Sequence, residues 1–176
     1  MIIAISGFSG SGKNTVGEIV AKELGMRTVE YTFKDYAREM GIDLMEFQKM
    51  AGKHDEIDRK FDKRVARSAN RGNCVVTTWL GPWIVKKANL RVWLEAGEEA
   101  RAKRIAGREK ISMAKALAHL RKRDRDNVGR YKKLYGIDIQ DRGIFDLLVN
   151  TERFLPEEIA KAVVLMARCV SKARDR

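Results

Sequence analysis

Gly7, Gly10, Ser11, Gly12, Lys13, Asn14 and Thr15 bring together backbone amides, side-chain hydroxyls and one cation. Glycines let the chain turn tightly with successive N–H groups pointing inward, and such a concave run binds an anion. Lys13 would reach the terminal phosphates of a nucleotide held there. The spacing Gly7-x-x-x-x-Gly12-Lys13 satisfies the first part of the Walker A pattern, although Asn14 stands where the strict pattern has Ser or Thr. The hydroxyl comes one residue later, at Thr15, the candidate protein ligand for Mg²⁺, directly or through water. A Gly/Ser turn that binds nothing is the competing reading, and the ordered run of strand, glycines, lysine and helix weighs against it.

A second set of residues carries positive charge at helical spacing. Arg104 and Arg108 lie one turn apart, and Arg123 and Arg130 share a face two turns apart. Phosphoryl transfer depends mostly on positioning and on neutralising charge around the migrating group, which several arginines on a closing segment would supply. No Ser/His/Asp arrangement offers a general base, and an acceptor phosphate is already nucleophilic enough. His54 and His119 lack metal-ligating neighbours in sequence and read as surface or helix-packing residues. Asp35 and Asp58 are weaker candidates for orienting an acceptor or water-bound Mg²⁺, against roles in caps and surface pairs.

These residues need elements to hold them. Ile2, Ile3 and Ile5 predict a buried strand, and Val16, Ile19, Val20 and Leu24 predict a helix starting near Gly12, its positive end toward the bound anion. A second strand is expected over residues 27–32. Two helices follow, over 43–53 and 55–71, the latter with Ile57, Phe61 and Val65 on one face, and they read as an insertion over the acceptor site. Strands over 74–78 and 90–94 flank a turn at Gly81-Pro82, and 98–107 is a helix. The basic segment 108–135 reads as two further helices, starting near Ser112 and extending past Arg130. A last strand is expected over 145–149, and Pro156 opens a final helix with Ile159, Val163 and Met166 inward. This alternation predicts an α/β fold, a parallel sheet flanked by helices, with the ligand at the carboxyl ends of the strands.

Composition narrows the setting. A chain of 176 residues suits one domain, and the net charge of +12 suits a handler of anions, whether nucleotides or nucleic acid. Nucleic acid is the less favoured partner, because the chain shows neither the aromatic-rich strands of a single-strand binder nor a recognition motif. Cys74 and Cys169 form no C-x-x-C pair, which fits a reducing compartment, and a cytoplasmic location is expected. The apolar start flows into the glycine loop without a basic region, and no run approaches a membrane span. The oligomeric state is left open, with a monomer favoured.

Over essentially its whole length the chain resembles the archaeal-type cytidylate kinases of the P-loop nucleoside monophosphate kinase family. The matching features are Ile3-x-Ile5-Ser6-Gly7-x-x-Gly10-Ser11-Gly12, Gly41-x-x-Leu44-x-x-Phe47, Glu56-Ile57-Asp58, Arg101-Ala102-x-Arg104-Ile105-x-x-Arg108-Glu109, Ile111-Ser112, Arg130-Tyr131 and Tyr135-Gly136-Ile137-Asp138. The G-K-x-T form of the loop, with Gly common at the x, is similar to that of adenylate and cytidylate kinases. The resemblance implies a five-stranded P-loop kinase with a core over 1–32, 73–108 and 127–176, an acceptor-binding insertion over 33–72 and a lid over 109–126. It implies transfer of the γ-phosphate of ATP, with Mg²⁺, to a small nucleotide, CMP or dCMP. Lys13, Arg108, Arg123 and Arg130 then carry catalysis. The glycine-loop residues hold the donor phosphates, Arg104 lies beside the ATP base, and Arg123 and Arg130 sit on the acceptor side of the lid.

Four departures from the family pattern matter. Phe33-Lys34 replaces a phenylalanine–arginine pair, keeping charge but losing the bidentate fork. Thr77-Thr78-Trp79-Leu80 replaces Glu-Gly-Arg-Leu, which removes both a carboxylate near Mg²⁺ and an arginine on the acceptor. Asn127 stands where an acidic residue is usual, and its amide can still pair with a cytosine edge. Lys34, Trp79 and Asn127 are therefore the acceptor-binding candidates, with Trp79 either a stacking platform or a core residue. Two alternatives remain beside the nucleotide kinase: a P-loop kinase for a different small acceptor, and a kinase-derived RNA-binding or ribosome-assembly NTPase.

Overall fold

The computed structural model describes residues 1–31, 33–42, 46, 47, 50 and 54–174, with the backbone alone at 33, 34 and 174. Five parallel strands form one sheet in the order β2-β3-β1-β4-β5. They are β1 (Ile2–Ser6), β2 (Arg27–Val29), β3 (Cys74–Val76), β4 (Leu90–Glu95) and β5 (Leu147–Asn150). Every residue of β1 is buried, as expected of a central strand covered on both faces. Ile3 of β1 sits in register with Val75 on one side and Leu90 on the other.

The alternation of the strands sends two sets of side chains to opposite layers. On one face Ile3, Ile5, Val75, Val92 and Leu94 meet Val16 and Val20 of α1 (Lys13–Leu24) and Ile159 and Val163 of the C-terminal helix (Pro156–Arg174). On the other, Ile2, Val29, Cys74 and Val76 meet Val65 and Ala69 of the helix Asp55–Ala69. Chain order numbers the helices α1, α2 (Phe33–Glu39), α3 (Asp55–Ala69), α4 (Gly81–Ile84), α5 (Glu98–Glu109), α6 (Met113–Tyr135) and α7 (Pro156–Arg174). β1 lies between β3 and β4, so the crevice beyond its carboxyl end is where the strand order reverses and ligands enter such sheets.

Several boundaries differ from the sequence expectation. β2 ends at Val29, where its partner β3 ends at Val76, and α2 follows. β5 begins at Leu147 because Phe145 packs edge-on against Trp83 and Trp93, each at 5.3 Å between ring centroids. The turn at Gly81-Pro82 is the start of short α4, where proline fits the first helical turn. Within residues 108–135, Arg108 and Glu109 close α5, and Met113–Tyr135 is one long helix, α6, in place of two. Ser112 Oγ caps it by accepting from Lys115 N at 3.3 Å, and Gly136, with φ 67°, ends it. The helix expected over 43–53 lies largely outside the described residues; of its described part, Phe47 packs fully buried against Ala37, Tyr36 and Ile57. Among the described residues no helix is long and apolar enough to cross a membrane.

Candidate active site

Gly7 follows the end of β1 at a place where a side chain cannot fit: a Cβ there would strike Ser11 Oγ and the Leu94 carbonyl. The loop closes through Ser11 N donating to Phe8 O at 3.1 Å, and Gly12, with φ 92°, turns the chain into α1. No side chain caps that helix start, and no acidic residue occupies its first turn. Its free N–H groups and positive dipole end are therefore available to an anion. Asn14 and Thr15 are exposed on this first turn.

Ser11 Oγ, Thr77 Oγ1 and Thr78 Oγ1 are buried without a hydrogen-bond partner among the described residues. Buried hydroxyls are normally satisfied, and here they line the segments that follow β1 and β3. Such atoms suit a loop completed by a polar ligand.

Lys13 is half-buried, with its ammonium 5.6 Å from the centroid of the Trp79 ring. Burial lowers its pKa to about 8, aided by Arg123 and Arg108, opposed by Asp124 and lowered further by Arg101. A cation held at this cost among like charges favours an incoming polyphosphate. Trp79 is half-buried and meets Phe8 edge-on at 5.6 Å, while its carbonyl accepts from Ser6 Oγ at 2.8 Å. It stands beside the loop lysine and outside the main core.

The arginines divide into two groups. Arg108 and Arg123 are exposed and act on Lys13 through their charge; Arg108 also pairs with Glu109 at 2.9 Å. Arg104 bridges the loop to the segment after β5, donating to Gly10 O at 3.2 Å, Thr151 Oγ1 at 2.9 Å and Thr151 O at 2.6 Å. Arg130 lies toward the far end of α6, paired with the buried Asp58 of α3 at 2.8 Å. Beside it Tyr135 donates to Asp62 at 2.6 Å. Burial raises the Asp62 pKa to about 6 against that hydrogen bond, with Asp58 adding to the rise. Asn127 is buried between the two ends of α6. The Lys34 side chain lies outside the described residues.

Arg101 received no role from the sequence, yet it is 5% exposed and holds the loop. It donates to Ser9 O at 3.2 Å and Ala96 O at 3.0 Å, and pairs with Asp124 at 2.7 Å. A signal was present: Arg101 lies four residues before Ile105, on the apolar stripe of α5, where a charge needs a partner. His54 and His119 are exposed, and no His, Cys, Asp or Glu group suited to a metal occurs among the described residues. The site thus gathers a glycine-loop cradle, a lysine and flanking arginines, the equipment for binding and transferring a phosphoryl group.

The model of the cytidylate kinase-like family matches residues 2–153. A cytidylate kinase of Pyrococcus horikoshii is 42% identical over 161 residues, covering 90% of this chain and 84% of that protein. One of Ignicoccus hospitalis is 42% identical over 168 residues, covering 94% and 98%. Among solved structures, shikimate kinase from Acinetobacter baumannii in complex with shikimate superposes with a TM-score of 0.65 at 18% identity, over 96% of this chain and 93% of that one. That likeness speaks for the fold.

Proposed function

The chain belongs to the cytidylate kinase-like family, and from that membership we propose that it transfers the γ-phosphate of ATP to a nucleoside monophosphate, CMP or dCMP, giving ADP and CDP or dCDP. The observation that carries the proposal is the half-buried Lys13 at the mouth of the glycine loop, with Arg108 and Arg123 bearing on the same charge. An oxygen of the acceptor phosphate attacks the γ-phosphorus as the bond to the β,γ-bridging oxygen breaks, and ADP leaves with that electron pair. Lys13, Arg108 and Arg123 counter the charge spread over the migrating group. No side chain needs to remove a proton, because the acceptor phosphate is ionised at neutral pH.

The unpaired Ser11 hydroxyl and the free amides of α1 fit the donor phosphates. Mg²⁺, entering with the nucleotide, supplies charge neutralisation across those phosphates. With no carboxylate cluster among the described residues, such an ion would be bound mainly by phosphate and water, with the Thr15 hydroxyl as its protein ligand. Trp79 beside Lys13, Lys34 and buried Asn127 serve the acceptor, Arg130 orients it through the α3–α6 contact, and the segment 109–126 forms the moving cover.

The test is a coupled ADP-release assay with CMP, dCMP, UMP, AMP and a non-nucleotide alcohol, with Lys13→Ala as control. Turnover is expected with CMP and dCMP first, falling roughly 10²–10³-fold in the control. Turnover with the alcohol alone would reassign the acceptor, and no ADP from any of them would overturn the proposal.

A further inference from the structure

Arg101 and Asp124 form an ion pair whose side chains are only 6% and 15% exposed. Their environment separates the pair from surface bridges such as Arg121–Glu98 and Lys122–Asp126, which are about half-exposed or more. The Arg101 side chain also holds the carbonyls of Ser9 and Ala96, and its guanidinium lies 5.3 Å from the Phe8 ring centroid. The Gly10 backbone packs so closely on Arg101 that a Cβ there would come within 2.8 Å of the Arg101 carbonyl. Loop and α5 are thus one unit.

α6 packs on α5 through Ala116 and Leu120 near its start and reaches α3 through Arg130 and Tyr135 near its end. Between those contacts, Asp124 ties it to the loop unit. Arg123 immediately precedes it on the same helix, so the register fixed at Asp124 fixes where the Arg123 side chain begins. The Ser9 backbone N–H also bears on the Asp124 carboxylate, so this residue ties α6 to the glycine loop directly as well as through Arg101.

We infer that Asp124 is a positioning residue for phosphoryl transfer: through Arg101 it locks α6 onto the phosphate-binding loop and sets where Arg123 meets the migrating group. This rests on the kinase reading above. Catalysis of this kind is sensitive to placement, and a displacement near 1 Å costs on the order of 10²-fold in rate. The charge on Arg123 survives loss of the clamp, but its aim does not.

The test compares Asp124→Asn, Asp124→Glu, Arg101→Lys and the double variant Asp124→Asn/Arg101→Lys for kcat, both KM values, ADP affinity and melting temperature. Expected is a drop in kcat on the order of 10²-fold for Asp124→Asn, with ADP affinity and the KM for CMP within about three-fold of wild type. Asp124→Glu should recover most of the rate, and the double variant should be no worse than the poorer single one, since the two act as a unit. A lower melting temperature with unchanged kcat would overturn the inference, as would a parallel loss of kcat and ADP affinity, which is the mark of a collapsed loop. If the wild-type enzyme phosphorylates no acceptor, the kinase reading fails on its own, and hydrogen exchange of the ADP-bound proteins decides the clamp. Faster exchange over 121–127 in Asp124→Asn, at unchanged ADP affinity, supports it; unchanged exchange there overturns it.

Discussion

Trp79 stands against the loop lysine, its ring centroid 5.6 Å from the Lys13 ammonium. Its edge-on contact with Phe8 is worth about 0.5–1.5 kcal/mol beyond simple burial. Trp79→Arg removes that contact and sets a second cation beside the lysine, so the ligand-free protein should melt a few degrees lower. An acceptor phosphate then gains a forked partner, and CMP should bind roughly ten-fold more tightly, narrowing the melting gap when present. Calorimetric titration with CMP checks this, and unchanged affinity would remove Trp79 from the acceptor side. At this scale the loop was legible because its chemistry is contiguous: glycines, lysine and hydroxyl occur within one turn of chain. Arg101 was not, because its function depends on Ser9 and Asp124, which only the fold brings to it.

At the scale of elements, α6 and α3 share a buried polar seam formed by Asp58, Asp62, Arg130 and Tyr135. The pKa of Asp62 is about 6, above the ordinary 3.8, so the folded state favours its protonated form. The stability this gives is fully present below about pH 4 and is lost as pH rises through 6. Ionised Asp62 therefore weighs on the fold at neutral pH. Asp62→Asn, which keeps an oxygen for the Tyr135 hydroxyl, should stabilise the protein by about 1–3 kcal/mol at pH 8 and by nearly nothing at pH 4. Melting curves at the two pH values check it, and equal differences at both would contradict it. The strands and most helices could be read from periodicity, but α6 could not be read as one helix. Its charge obscured a buried series, Ala116, Leu120, Asn127 and Leu134, that extends along the helix. The ends of β2 and β5 escaped for another reason, since partner strands and aromatic packing set them.

Over the whole molecule, α6 meets α5, reaches the glycine loop at Ser9 through Asp124 and Arg101, and meets α3. The cover proposed over 109–126 ends inside this continuous helix, so closure should involve α6 as a body. A bisubstrate analogue should slow hydrogen exchange from the turn before α6 along the helix beyond residue 126. Protection confined to 109–112, or none, would contradict that. The fold itself was legible from the alternation of strands and helices after a phosphate loop, whereas the division into cover and core depends on contacts between helices. Transfer between two nucleotides is measured most directly by following the phosphorus. With γ-labelled ATP and CMP, the label should appear in the β-phosphate of CDP at a rate that depends on CMP. Label released as inorganic phosphate at the same rate with and without CMP would contradict the claim.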